Sequence, residues 1–231
     1  PRLPMQPFLA VVALFAAAAH AQSLVANVVS NTSGQFSSNV ERFVPVAGRA
    51  VFRANGPLGR ELWATDGTAA GTRLLVDLMP DGDGDPDEFV RLGNEVLFAA
   101  SVPGLGRELW KTDGTHAGTV LVRDLQPGSG SSNPTRLVLL GNYVYFAAND
   151  GTAGNELWRS DGTANGTTLV ADLRAGAGGS APNLLTVAGG TLFFVANDAV
   201  LGNELWRSDG TAAGTALVAD LQPGGLGTSS L

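Results

Sequence analysis

The chain repeats itself. A Gly-x-Glu-Leu-Trp segment at residues 59–63 recurs at 106–110, 154–158 and 202–206, which places the four tryptophans 47, 48 and 48 residues apart. Each Trp is followed by x-[TS]-D-G-T-x-x-G-T, so that Asp66, Asp113, Asp161 and Asp209 share one turn position. A β-branched run then follows: LLVDL, VLVRDL, TLVADL and ALVADL in the successive units. All four tryptophans of the protein are used this way. A period this regular describes one supersecondary unit stacked on its own copies, each too small to bury its apolar surface alone.

Four short strands fit inside each period. In the second unit, alternation and turn residues place strand a at 89–92, a Gly93-Asn94 turn, strand b at 95–100, strand c at 107–112 and strand d at 120–125. Strand d is reached through Asp113-Gly114-Thr115, and a Pro/Gly/Ser-rich connection leads on to the next strand a. No segment sustains the 3.6-residue apolar period of an amphipathic helix. Four antiparallel strands in about 48 residues, repeated head to tail, predict an all-β chain folded as a β-propeller. Its blades should occupy approximately 42–78, 89–125, 136–173 and 184–221.

The two ends carry different signals. Residues 8–18 read FLAVVALFAAA and are followed by Ala19-His20-Ala21, an A-x-A pattern, so residues 1–21 read as a signal peptide and 22–231 as the repeat domain. Export is therefore expected, to a periplasmic or extracellular location. The run 24–29 resembles a strand d with no a, b or c before it, and 224–231 resembles the start of another d-to-a connection. The expectation is a piece of a larger propeller with further repeats in the parent chain.

The pattern E-L-W-x-[TS]-D-G-T-x-x-G-T, four times over, closely resembles the bacterial ELWxxDGT-repeat proteins, and it extends across about 180 residues. The resemblance implies an exported, multi-repeat propeller, and it brings no catalytic residue with it. The D-G-T turn is also similar to the Asp-box turns of sialidase-like propellers, but here Trp precedes Asp and the spacing differs, which argues against sialidase chemistry.

Repetition within one chain separates scaffold from site, because catalysis needs a residue once whereas folding needs it in every blade. Trp63, Trp110, Trp158 and Trp206 should therefore pack between neighbouring blades. The aspartates Asp66, Asp113, Asp161 and Asp209 should accept hydrogen bonds from backbone N–H groups just ahead of them, fixing the c-to-d turn. Glu61, Glu108, Glu156 and Glu204 should lie on the strand face of their Trp and bind a backbone, threonine or arginine donor.

Function is then sought where the copies disagree. The first d-to-a connection reads Pro80-Asp81-Gly82-Asp83-Gly84-Asp85-Pro86-Asp87-Glu88, whereas its counterparts are PGSGSSNP and AGAGGSAPN. Alternating Asp81, Asp83, Asp85 and Asp87, with Glu88, is a spacing that suits a hard cation such as Ca²⁺, although the glycine and glutamate positions of an EF-hand loop are missing. Two readings stand: a calcium loop or a solvated acidic loop.

Little else carries chemistry. The chain has no cysteine, and a net charge of −7 gives no basic surface for nucleic acid. His116 stands alone on a turn, Lys111 follows Trp110 without a phosphate-binding glycine loop, and no later apolar run is long enough to span a membrane. The expected function is an exported, non-enzymatic scaffold whose variable loops recognise a protein, a cell surface or a glycan. The alternative is a secreted propeller hydrolase acting on glycans, which requires two carboxylates about 5–10 Å apart on the variable face.

Overall fold

The computed structural model describes residues 37–221, and the expected signal peptide at 1–21, the strand at 24–29 and the run at 224–231 lie outside them. The described residues form sixteen strands in four antiparallel four-stranded sheets, each with strand order a-b-c-d. Blade 1 consists of β1 (Glu41–Val46), β2 (Arg49–Gly56), β3 (Gly59–Thr65) and β4 (Arg73–Val76). Blade 2 consists of β5 (Asp87–Leu92), β6 (Glu95–Val102), β7 (Gly106–Thr112) and β8 (Val120–Arg123). Blade 3 follows with β9 (Thr135–Leu140), β10 (Tyr143–Asn149), β11 (Asn155–Ser160) and β12 (Thr168–Ala171). Blade 4 closes the set with β13 (Asn183–Ala188), β14 (Thr191–Asn197), β15 (Asn203–Ser208) and β16 (Ala216–Ala219).

These are propeller blades. The inner strands β1, β5, β9 and β13 run side by side in that order, and β13 does not return onto β1 as the others meet their neighbours. The blades therefore form an open arc. Among the described residues no helix is long and apolar enough to cross a membrane.

The core lies between blades because each sheet is apolar on both faces. Leu62, Leu75 and Leu78 of blade 1 cluster with Phe98 and Ala100 of blade 2, and Trp110 packs against that cluster. Leu109, Val122 and Leu125 meet Phe146, Ala148 and Trp158 in the same way, as do Leu157 and Val170 with Phe194, Ala196 and Trp206. Period-two alternation along strand c explains the division of labour: Leu points to the following blade, while Glu and Trp, two residues apart, share the opposite face. The tripeptide Glu-Leu-Trp thus serves both faces of its own sheet.

Several strand ends differ by one or two residues from the sequence reading, and two of these differences bear on the connections. Strand a of blade 2 begins at Asp87, not Phe89, so Asp87 and Glu88 belong to a strand and not to the acidic loop. Strand d ends at Arg123, two residues early, because Leu125 turns its N–H to the Glu108 carboxylate instead of a neighbouring strand. Strand a also carries a bulge in every blade, with Arg42, Glu88, Arg136 and Leu184 at φ values of 62, 62, 59 and 54° at the points where pairing with strand b shifts register.

Candidate functional site

The c-to-d turns are one network built four times. Asp113 Oδ1 accepts from Thr115 N–H at 2.8 Å and from the Thr115 hydroxyl at 2.6 Å. Thr115 Oγ1 in turn accepts from Gly118 N–H, and the Thr112 and Thr119 hydroxyls meet at 2.8 Å. Asp66, Asp161 and Asp209 make the matching bonds to Thr68, Thr163 and Thr211. The second glycine of the motif is sterically required: a Cβ on Gly118 would lie 2.1 Å from Asp113 Oδ1. The threonine hydroxyl bond holds the Asp113 and Asp161 carboxyls below their ordinary range, against the opposing effect of burial. His116, on this turn in blade 2, donates from Nδ1 to the Leu75 carbonyl of blade 1 at 2.6 Å, so it joins two blades.

The repeated glutamates anchor the d-to-a connections. Glu61 accepts from Leu78 N–H at 3.0 Å and Gly84 N–H at 2.8 Å, spanning the acidic loop from its start to its middle. Glu108 accepts from Leu125 N–H, Ser132 N–H and the Ser132 hydroxyl, and Glu156 from Leu173, Arg174 and Ser180. Glu204 accepts from Leu221 N–H. Glu61, Glu108 and Glu156 are fully buried, and burial pushes each carboxyl above the ordinary range despite these donors. Their oxygens are committed to the connections, through backbone N–H groups in every blade and through a serine hydroxyl as well in blades 2 and 3.

The acidic loop sits where the blades differ most, and arginines meet it there. Asp83 Oδ1 accepts from the Arg60 backbone N–H at 2.7 Å, and Asp85 pairs with the Arg60 guanidinium at 3.0 Å. Arg53 lies within ion-pair distance of Asp85 at 3.7 Å and Asp87 at 3.2 Å, and it also pairs with Glu41. Arg42 reaches Asp87 at 3.1 Å, and Arg107 donates to the Asp85 carbonyl at 2.8 Å. Glu88 turns the other way and accepts from Leu137 N–H of blade 3 at 3.2 Å, a group freed by the bulge in β9. Asp81 joins none of these pairs, so the five acidic residues do not converge on one point. Among the described residues no three His, Cys, Asp or Glu side chains are grouped to hold a metal ion.

The arginines are what sequence reasoning missed. Arg53 occupies a strand-b position filled by Ala99, Ala147 and Val195 in the other blades, which was the signal. The inner end of the cluster borders a cavity of about 410 Å³ lined by Arg42, Phe43, Val44, Asp87, Glu88 and Phe89, with Leu137 beyond. Phe43 and Phe89 are stacked on Phe52 and Phe98 with ring centroids 4.9 and 5.6 Å apart. Charged groups and aromatic edges therefore share this opening.

Comparison with protein-family models finds no match, and comparison with curated proteins finds none. Among solved structures the chain is similar to puromycin hydrolase, at 16% identity and a TM-score of 0.53 over 85% of this chain and 30% of that one. A mutant of puromycin hydrolase complexed with PGG matches at 16% identity and a TM-score of 0.50, covering 73% of this chain and 26% of that one. The chain thus spans less than a third of the length of these two proteins. At such identity the likeness bears on the fold alone.

Proposed function

We propose that this chain is an exported, non-enzymatic recognition scaffold of the ELWxxDGT-repeat kind, presenting the b-to-c and d-to-a connections to a protein, cell-surface or glycan ligand. The observation that supports it is the divergence at Arg53. Where three blades have a small apolar residue, blade 1 places a guanidinium that gathers Glu41, Asp85 and Asp87 beside the cavity. Residues repeated in every blade are committed to folding, which leaves the divergent charged cluster as the ligand-facing chemistry. Positive charge at the acidic loop is supplied by arginine, so this reading does not call on Ca²⁺.

A carbohydrate is a ligand suited to such an opening, since carboxylate and guanidinium groups bond hydroxyls while aromatic faces and edges take the sugar ring. The test is affinity electrophoresis against a panel of soluble polysaccharides, comparing the parent chain with Asp87→Asn. Retardation of the parent by one polysaccharide, weakened at least tenfold in the variant, is the expected result. Release of reducing ends by the parent, abolished in Asp87→Asn, would instead identify the glycan hydrolase.

A further inference from the structure

The two Asn-Gly pairs of the sequence stand in the same tripeptide, Ala54-Asn55-Gly56 and Ala164-Asn165-Gly166, and the fold treats them differently. Asn-Gly is chemically unstable because a glycine leaves the backbone nitrogen after the asparagine unshielded. That nitrogen attacks the side-chain amide carbon wherever the chain brings the two together. Asn55 lies inside β2, paired with Arg60, and Gly56 is paired with Gly59. The Asn55 N–H donates to the Ser38 carbonyl at 2.7 Å and its Oδ1 accepts from Arg60 Nε at 3.2 Å, so backbone and side chain are both held.

Asn165 sits on the c-to-d turn of blade 3, at a position filled by Ala70, Ala117 and Ala213 in the other blades. It is exposed, and its side chain hydrogen-bonds to no described residue. Folding therefore makes no use of the amide. One bond guards the attacking nitrogen: Gly166 N–H donates to Thr163 Oγ1 at 2.9 Å on the exposed side of the turn. An exposed bond of this kind opens locally at lower cost than a ladder inside a sheet.

We propose that Asn165 is a site of spontaneous deamidation, and that the product loosens the junction of blades 2 and 3. The Gly166 nitrogen bonds to Asn165 Cγ, the bond from Cγ to the side-chain nitrogen breaks, and the backbone proton leaves with that nitrogen as ammonia. Water then opens the cyclic imide at one carbonyl or the other, giving an aspartyl or an isoaspartyl residue at 165. Neither an oxidant nor an enzyme enters. The isoaspartyl product places an extra methylene in the main chain beside a glycine that has no spare room, since a Cβ on Gly166 would stand 2.0 Å from Asp161 Oδ1. The next residue, Thr167, carries the carbonyl to which Arg123 of blade 2 donates at 2.6 Å, and its hydroxyl meets that of Ser160 at 2.8 Å. Displacing the turn there withdraws a tie between two blades.

Peptide mapping by mass spectrometry reads the reaction in folded protein aged in warm, mildly alkaline buffer, with isoaspartyl methyltransferase labelling to mark the rearranged product. Conversion at 165 is expected at least tenfold faster than at 55, and the two rates should converge when the same incubation is run in denaturant. Thr163→Val, which removes the acceptor for Gly166 N–H, should speed conversion at 165 severalfold and leave 55 unchanged. Ageing should lower the chemical denaturation midpoint of the parent but not that of Asn165→Ala, which carries the residue of the other three blades. Equal rates at the two sites in the folded protein overturn the proposal, as does a 165 amide that survives an incubation long enough to convert it in denaturant. An aged parent converted at 165 whose midpoint matches that of fresh protein overturns the link to the blade junction.

Discussion

The c-to-d turns and the d-to-a connections lie at opposite ends of the same strands and follow opposite rules. Four c-to-d turns share their hydrogen bonds down to a hydroxyl pair, Thr–Thr in blades 1 and 2 and Ser–Thr in blades 3 and 4, while the d-to-a connections keep a leucine, a glycine and a closing proline and otherwise diverge. Yet the connections are held in comparable positions. The reason is the buried glutamate, which grips backbone N–H groups in every blade and takes a serine hydroxyl only in blades 2 and 3, so that most side chains of the loop are free to change. A turn stabilised by its own side chains cannot vary, whereas a loop stabilised through its backbone can. That difference allows one end of the arc to remain scaffold while the other acquires Asp81–Glu88 and its arginines.

The largest effect is expected from removing the grip itself. Glu108→Ala leaves the N–H groups of Leu125 and Ser132 and the Ser132 hydroxyl without their acceptor in a buried place. Each such loss costs about 1–3 kcal/mol. Chemical denaturation should show a loss of several kcal/mol, with proteolysis between 126 and 134 accelerated before global unfolding. If the connection stays protected in the variant, side chains of the loop hold it, and the contrast between the two ends collapses.

The two carboxylate sets also respond to pH in opposite senses. Asp113 is held below its ordinary value of 3.8, so its contribution to stability is present above that value and is lost as pH falls through the lower folded value. Glu108 is pushed above its ordinary value of 4.5, so its contribution is full below that value and declines as pH rises through the higher folded one. Denaturation midpoints across a pH series should therefore fall less steeply on the acid side in Asp113→Asn. They should decline less between weakly acidic and neutral pH in Glu108→Gln, whatever the absolute stability of either variant. Parallel profiles for the parent and both variants would remove the distinction between the turns and the anchors.

How much of this could be read from residues alone follows from the range of the forces involved. The four-strand unit, the Asp-Gly-Thr turn and the tryptophan junction are set by local patterns repeated four times, so period and alternation expose them. The expected partner of the repeated glutamate was a backbone, threonine or arginine donor; backbone N–H groups about 17 and 24 residues away supply it without a side-chain signature, and the serine hydroxyls that join them in blades 2 and 3 were not expected. The acidic run was conspicuous, but its neutralising charges come from Arg42, Arg53, Arg60 and Arg107, scattered over four strands of two blades. Only the fold brings those four together. Spacing along the chain suggested carboxylates aimed at one point, and the bulge at Glu88 together with the strand beginning at Asp87 sends them in different directions.

The smallest effect is expected where the charges are most numerous. Arg53→Ala removes a guanidinium that meets Glu41, Asp85 and Asp87, yet the position accepts alanine in blades 2 and 3 without loss of the sheet. Its carboxylate partners remain partly open to water, and such pairs contribute about 0–1 kcal/mol each. Thermal denaturation should place Arg53→Ala close to the parent, with the remaining difference shrinking further in high salt as the exposed charges are screened. Losing this residue should therefore cost little in folding even if it costs much in ligand contact. A destabilisation comparable to that of Glu108→Ala would make Arg53 part of the scaffold, and the charged cluster would then be one more repeated necessity solved in a different way by blade 1.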